Sequence, residues 1–312
     1  MTSPFGRGPL RLSYNGITLD FQSRDEGSIP SSRSMVEKLQ VPTQARPHTW
    51  AGYSGPWIEN AFQKYYAEHG VKTDRIYIPI CWTDNYLANG FRAPMWTTLW
   101  LNQTLRQDKK YFTVVQNDDG ILESIPKWAD VLVFAAGGVG DIPIPLLKED
   151  LQPYQRKDIE RPIQLCFTGS IMACESARGH AVGKLMTMMR PNWSFSEKLP
   201  YESFFKQLNE SVFSLCPRGY GRTSFRLYES LGMGSIPVYV WDDIEWLPYK
   251  EILDWSGFAI SINVRDIDRL PEILDSHTPE MIAAKQKKIR KLYHHYFTAK
   301  AVCEYIFKRL AI

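Results

Sequence analysis

The chain has 312 residues, more than one hydrophobic core usually serves, so two domains of ordinary size are expected. Its 44% hydrophobic and 23% charged content excludes disordered and fibrous classes. The 37 Lys and Arg against 34 Asp and Glu give a net charge of +3 without any basic block or stripe, which argues against nucleic acid as a partner.

In chain order, residues 1–48 are rich in Pro, Gly, Ser and Arg, and apolar alternation over 10–14 and 17–21 predicts a short hairpin followed by a wrapping loop. No apolar stretch approaches the roughly 20 residues that span a bilayer, so no membrane span and a cytoplasmic location are expected. The pattern predicts a helix over 57–69 closed by Gly70, a strand over 75–81, a helix over 96–106, and strands over 111–116 and 131–135. The polar, Pro-containing stretch 148–162 reads as a linker, dividing the chain into an N-terminal domain, 1–150, and a C-terminal domain, 151–298. The second part repeats the alternation. Strands are expected over 163–167, 212–215, 236–240 and 258–262, and helices over 177–189, 201–209, 224–231 and 279–297. A last helix near 300–310, within a terminal segment 299–312, is expected to pack back on the first domain. Strands alternating with helices imply an α/β protein with parallel sheets.

The five cysteines, Cys81, Cys166, Cys174, Cys216 and Cys303, are scattered without metal or redox spacing and are expected to be reduced. Asn-x-Ser/Thr triplets at Asn102, Asn192 and Asn209 would matter only in a secreted chain. The aromatic content is high. Trp50, Trp57, Trp82, Trp96 and Trp100, with His48, Asp84 and Asn85 nearby, have the composition of a sugar cleft, but burial in a core explains them equally well.

The segment 214–243 reads SLCPRGYGRTSFRLYESLGMGSIPVYVWDD, a strand, a glycine-rich loop, a helix and a second strand. Ligands of open parallel sheets bind beyond the carboxyl ends of strands, where this loop must lie. Gly219 and Gly221 would let backbone amides approach an anion, and Thr223 or Ser224 would cap the electropositive end of the helix. Arg222, Arg226 and Glu229 follow helical spacing on one face, with Arg218 in the loop above. Guanidinium groups take phosphate bidentately and a carboxylate deeper in accepts from ribose hydroxyls, so this order of groups suits a nucleoside diphosphate. A salt-bridged surface helix would show the same spacing without the glycine loop.

These residues resemble the exostosin-like glycosyltransferases. The resemblance lies in Cys216, Pro217, Arg218, Gly219; in Ser224, Arg226, Leu227, Glu229; and in Gly234, Ile236, Pro237, Val238. It continues downstream through LPYKEILDWSGFAISINVRDIDRLPEIL (247–274) and upstream, more thinly, through YFTVVQNDDG (111–120), GDIPIP (140–145) and LCFTGS (165–170). Asn117 and Asp119 stand where that family usually has His and an aromatic residue. The chain is more similar to short soluble members of microbes and large algal viruses than to Golgi-anchored ones. The resemblance implies a GT-B type fold of two facing Rossmann-like domains. It further implies a UDP-sugar as co-substrate, a glycan acceptor, inversion at the anomeric carbon, and no metal or other cofactor. An inverting transfer needs a general base from the first domain; Asp118 is the first choice and Asp141 the second. UDP-xylose is the preferred donor, because no basic residue is evidently reserved for a sugar carboxylate.

Three alternatives stand beside this reading. A metal-dependent glycosyltransferase would use the Asp266, Ile267, Asp268 triplet, although that triplet fits better as the acidic first turn of a helix, and Asp242 and Asp243 as a strand-exit turn. A dehydrogenase is suggested by VLVFAAGGVGD (131–141), whose glycines do not make the dinucleotide fingerprint. A carbohydrate-binding protein without activity would stack sugars on the tryptophans of the first domain.

Overall fold

The computed structural model describes residues 13–14, 17–18, 38–41, 57–147, 151, 155–156, 159–170 and 177–311. Its first compact unit, Met1–Met35, contributes an antiparallel pair of two-residue strands, β1 (Ser13–Tyr14) and β2 (Ile17–Thr18). These lie within the expected hairpin; of the loop expected after it only residues 38–41 are described, where Lys38 makes a parallel bridge to Tyr77. The second unit, Val36–Ile312, holds everything else.

That unit is built on two parallel sheets, giving the expected α/β class with two Rossmann-like lobes. In the first lobe helix α1 (Ile58–His69) follows Trp57 and stops at Gly70, whose φ of 61° is a conformation glycine adopts freely. Strand β3 (Arg75–Tyr77) is shorter than expected, because Pro79 has no N–H for a ladder. Helix α2 (Trp82–Ala88), unforeseen in the sequence, comes next, and α3 (Met95–Thr104) follows. Strands β4 (Lys110–Val115), β5 (Asp130–Ala135) and β6 (Ile142–Pro143) complete a sheet of order β3-β4-β5-β6.

The second lobe has β7 (Ile163–Thr168), α4 (Ala177–Met186), β8 (Trp193–Ser196), α5 (Tyr201–Asn209), β9 (Ser211–Pro217), α6 (Phe225–Gly232), β10 (Ile236–Trp241) and β11 (Ile260–Asn263). Its sheet order is β11-β10-β9-β7-β8. Helices α7 (Leu270–Asp275), α8 (Pro279–Tyr296) and α9 (Ala299–Leu310) end the chain. Helix α9 packs on the first lobe, where Phe307 meets Phe62 and Tyr65 of α1 at ring separations of 5.9 and 5.0 Å. One apolar cluster runs through both lobes, from Phe62, Tyr77 and Phe112 to Leu165, Phe213 and Val238. A second cluster on the first sheet, around Ile78, Trp82 and Tyr86, also takes in Trp246 from beyond β10. No described helix is long and apolar enough to cross a membrane.

The carboxylate that organises the first lobe is Glu59, buried at 1% exposure. It accepts hydrogen bonds from the Thr83 amide at 3.0 Å, the Thr83 hydroxyl at 2.8 Å and the Gln116 amide at 2.7 Å, tying the start of α2 to the end of β4. Burial outweighs these donors and pushes its carboxyl up to about 8, from an ordinary 4.5. Between those two values the folded chain keeps a proton that the unfolded chain has lost. The contribution of Glu59 to stability is therefore complete below pH 4.5 and lost as the pH rises toward 8. Thermal melts across this range should show wild type losing stability with rising pH more steeply than Glu59→Gln; parallel curves would contradict this account.

Of the tryptophans expected to line a sugar cleft or a core, Trp57 and Trp82 prove interior, Trp96 and Trp100 are partly exposed, and Trp50, with His48, lies outside the described residues. Trp82 is fully buried with its indole donating to the Thr113 hydroxyl at 2.8 Å, and Trp57 donates to buried Asp84 at 2.7 Å. Neither offers a ring face for sugar stacking.

Candidate functional site

The carboxyl ends of the two sheets meet. Beyond β9 the chain turns through residues 218–224 and enters α6, while the turn after β4 and the glycines after β5 come against it from the first lobe. Ser224 is the residue that caps α6, accepting from the Arg226 amide at 3.2 Å. Thr223 is buried and does not cap.

Of the two loop glycines, Gly221 is needed for close approach between protein segments, whereas a methyl on Gly219 would meet only ordinary contacts. The Gly219 amide donates to the Thr223 carbonyl at 2.9 Å. A methyl on Gly221 would stand 2.1 Å from the Gly137 carbonyl oxygen and 2.6 Å from a carboxylate oxygen of Asp118. The Arg218 and Arg222 amides donate to the carbonyls of Val240 and Gly137, at 3.0 and 2.9 Å. This corrects the expectation that the loop amides line an anion cradle: these three amides are turned to the protein, so anion binding falls to side chains.

Arg222 departs from the expected helix face because α6 begins only at Phe225. Its Nη1 donates to the Gly138 carbonyl at 2.6 Å and its Nε pairs with Asp243 at 2.8 Å. Arg218 is held by Asp242 at 2.6 Å and by the carbonyls of Tyr220 and Gly221 at 3.0 and 3.2 Å. The Asp242 and Asp243 pair is thus more than a turn, since it fixes both loop arginines.

Arg226 is different. Its guanidinium lies over the rings of Phe204 and Phe167, 4.6 and 5.5 Å from their centroids, and beside Gly169 at the end of β7. The buried Nε has no hydrogen-bond acceptor, and Glu229 stands 3.7 Å away, beyond hydrogen-bond reach. Arg178, in the first turn of α4, comes to the same place. It donates to the Ser170 carbonyl at 3.4 Å and would touch a methyl on Gly219, also at 3.4 Å. A cation there opposes the helix dipole, and that mismatch is the signal in the sequence that could have singled it out.

Facing Arg178 and Arg218 is Asp118, in the turn closed by the Gly120 amide on the Asn117 carbonyl at 3.0 Å. Burial, then the Asp119 carboxylate, push the Asp118 carboxyl up to about 6, against the Gly221 amide, Arg178 and Arg218, which pull it down. Asp141 is not in this site. Its carboxylate accepts from the Val133 amide at 2.7 Å and its own amide donates to the Val133 carbonyl at 2.9 Å, so it locks β6 to β5. Of the expected residues, the site gathers Asp118, Arg218, Gly219, Gly221, Arg226 and Glu229; it lacks Asp141 and turns Arg222 toward the other lobe. Asp266 lies in a short 3-10 helix after β11, and Asp268 pairs with Lys184 of α4.

Residues 135–277 match the family model described as the Exostosin GT47 domain. A protein of Arabidopsis thaliana described as "Probable beta-1,4-xylosyltransferase IRX10L" is 34% identical over 85 residues, which are 27% of this chain and 20% of that protein. The "Exostosin-1 homolog" of Caenorhabditis elegans is 35% identical over 109 residues, 33% of this chain and 28% of that one. The chain therefore spans less than a third of the length of these relatives. Among solved structures, the GtfA/B complex aligns with 81% of this chain and 60% of its own at a TM-score of 0.44 and 12% identity. The matched segment contains Arg178, Arg218, Arg226 and Glu229, while Asp118 precedes it. Over residues 135–277 the chain is thus similar to the Exostosin GT47 domain.

Proposed function

We propose that this protein is an inverting glycosyltransferase that takes a sugar from a UDP-sugar and places it on a hydroxyl of a glycan acceptor. The diphosphate lies against Arg226, with Arg178 and Arg218 as flanking positive charge, and Glu229 accepts from the ribose hydroxyls. Fixed guanidinium charge there offsets the charge that develops on the departing diphosphate, so the chemistry requires no metal. Asp118, across the gap from the arginines, removes the proton of the acceptor hydroxyl. The observation that carries this reading is the half-buried Arg226 guanidinium, its Nε buried without an acceptor, framed by two phenylalanines and loosely held by Glu229, at the carboxyl end of a parallel strand.

Xylose is the first sugar to test, since similar proteins are described as probable xylosyltransferases and others as probable glucuronosyltransferases. A panel of UDP-xylose, UDP-glucuronic acid, UDP-galactose and UDP-arabinose, scored by thermal stabilisation and by slow hydrolysis, is the experiment. The expected result is stabilisation by UDP and by UDP-xylose most among the sugars, with hydrolysis unchanged in EDTA. Loss of hydrolysis in EDTA, restored by manganese, would overturn the metal-free chemistry; indifference to every UDP compound would overturn the whole reading.

A further inference from the structure

The glycine run AAGGVG, 135–140, is too irregular for a dinucleotide fingerprint, yet its geometry is demanding. A methyl on Gly137 would lie 2.3 Å from the Asn117 carbonyl oxygen and 2.6 Å from the Asp118 Cα. Gly138 has a φ of 132°, and a methyl there would lie 2.6 Å from the Arg222 amide nitrogen. From the other lobe Gly221 presses its own bare backbone onto the Gly137 carbonyl. Bare backbone meets bare backbone across the gap between the lobes.

Arg222 fastens this contact at several atoms. Its amide donates to the Gly137 carbonyl at 2.9 Å and its Nη1 to the Gly138 carbonyl at 2.6 Å, both in the first lobe. Within its own lobe its Nε pairs with Asp243 at 2.8 Å, and its carbonyl accepts from the Tyr239 hydroxyl. That hydroxyl also accepts from the Trp246 amide at 3.2 Å, and the Trp246 ring is buried in the apolar cluster of the first sheet. The groups that satisfy Arg222 are thus carbonyls and Asp243, which leave no evident role in phosphate binding.

We propose that Gly137 and Gly138 form a seat for the Gly221 and Arg222 turn, an interlobe latch in which Arg222 is a positioning residue holding Asp118 against the donor loop. The inference rests on the glycosyltransferase reading for its consequence in turnover, but the latch is a mechanical claim that can be judged separately. Losing it leaves the arginines at β7 and β9 in place. It moves Asp118 away from Gly221, Arg178 and Arg218 and opens it to solvent, while Asp119, in the same turn, stays beside it.

The test uses Arg222→Ala and Gly138→Ala, which break the same contact from opposite lobes, with Arg222→Lys as the milder variant should either fail to fold. In each, hydrogen exchange should speed up together in peptides 133–141 and 218–224, and UDP affinity should stay within about threefold of wild type. UDP-sugar turnover should fall by about 100-fold at unchanged donor KM, the scale of loss from an ångström-sized misplacement. The acid limb of turnover should move to lower pH as Asp118 becomes more solvated, and Arg222→Lys should recover part of the rate. A loss of UDP affinity beyond tenfold in Arg222→Ala would make Arg222 a donor ligand and overturn the latch, and so would full turnover in both alanine variants. If wild type ignores UDP, the glycosyltransferase reading fails, while coupled exchange in the two peptides still decides the latch.

Discussion

Replacing Arg226 by alanine is expected to weaken UDP binding by about 100-fold. Hydrogen bonds to charged groups contribute roughly 1.5–3 kcal/mol each, and every 1.4 kcal/mol or so is a tenfold change in affinity. Removing one guanidinium that faces a diphosphate falls in that range. The side chain also covers Phe204 and Phe167, so some loss of thermal stability should accompany the change. A cooperative melt of the variant separates that loss from the loss of ligand. Arg226→Lys should recover little, because a point charge does not reproduce the planar fork over two rings. Glu229→Ala should weaken UDP less, since a ribose contact is lost while the phosphate contact remains. Calorimetry measures all three, and unchanged affinity in both alanine variants would move the nucleotide elsewhere.

Asp118→Asn should lower turnover by about 100- to 10,000-fold, the usual range for removing a general base, while leaving UDP affinity close to wild type. The pH dependence is specific. With its carboxyl pushed up to about 6, Asp118 is ionised and able to accept a proton above that pH and is neutral below it. Wild-type turnover should therefore rise through pH 6 to a plateau, and the asparagine variant should lose that limb together with the rate. A limb near pH 6 that persists in Asp118→Asn would assign the base to another group.

What the sequence made legible follows from which interactions are local. Helix α6 and its flanking strands were readable because the cap Ser224, the loop glycines and the apolar strand runs lie within one continuous stretch. Helix α2 was not, for the carboxylate that meets its first amides, Glu59, comes from α1 and is separated from Thr83 by 24 residues. The short edge strand β8, of four residues, carries little pattern of its own and is defined by pairing with β7. At the site, residue types pointed to arginine and carboxylate chemistry, but roles depended on contacts between distant segments. Arg222 looked like a phosphate ligand by spacing alone, and only the carbonyl of Gly138, 84 positions away, shows what holds it. Asp141 likewise sits before a Pro-containing strand where a base was conceivable, until its bond to the Val133 amide places it in the sheet. Arg178 could have been found, as a cation in a first helical turn beyond a parallel strand, had the helix dipole been weighed there.

The account depends on a diphosphate being gripped by the arginines at the carboxyl edge of the second sheet. Isothermal titration of UDP into the full chain tests this most directly. It should show one site with a dissociation constant in the micromolar to millimolar range, abolished or strongly weakened in Arg226→Ala. No binding by the wild-type chain at millimolar UDP would contradict it.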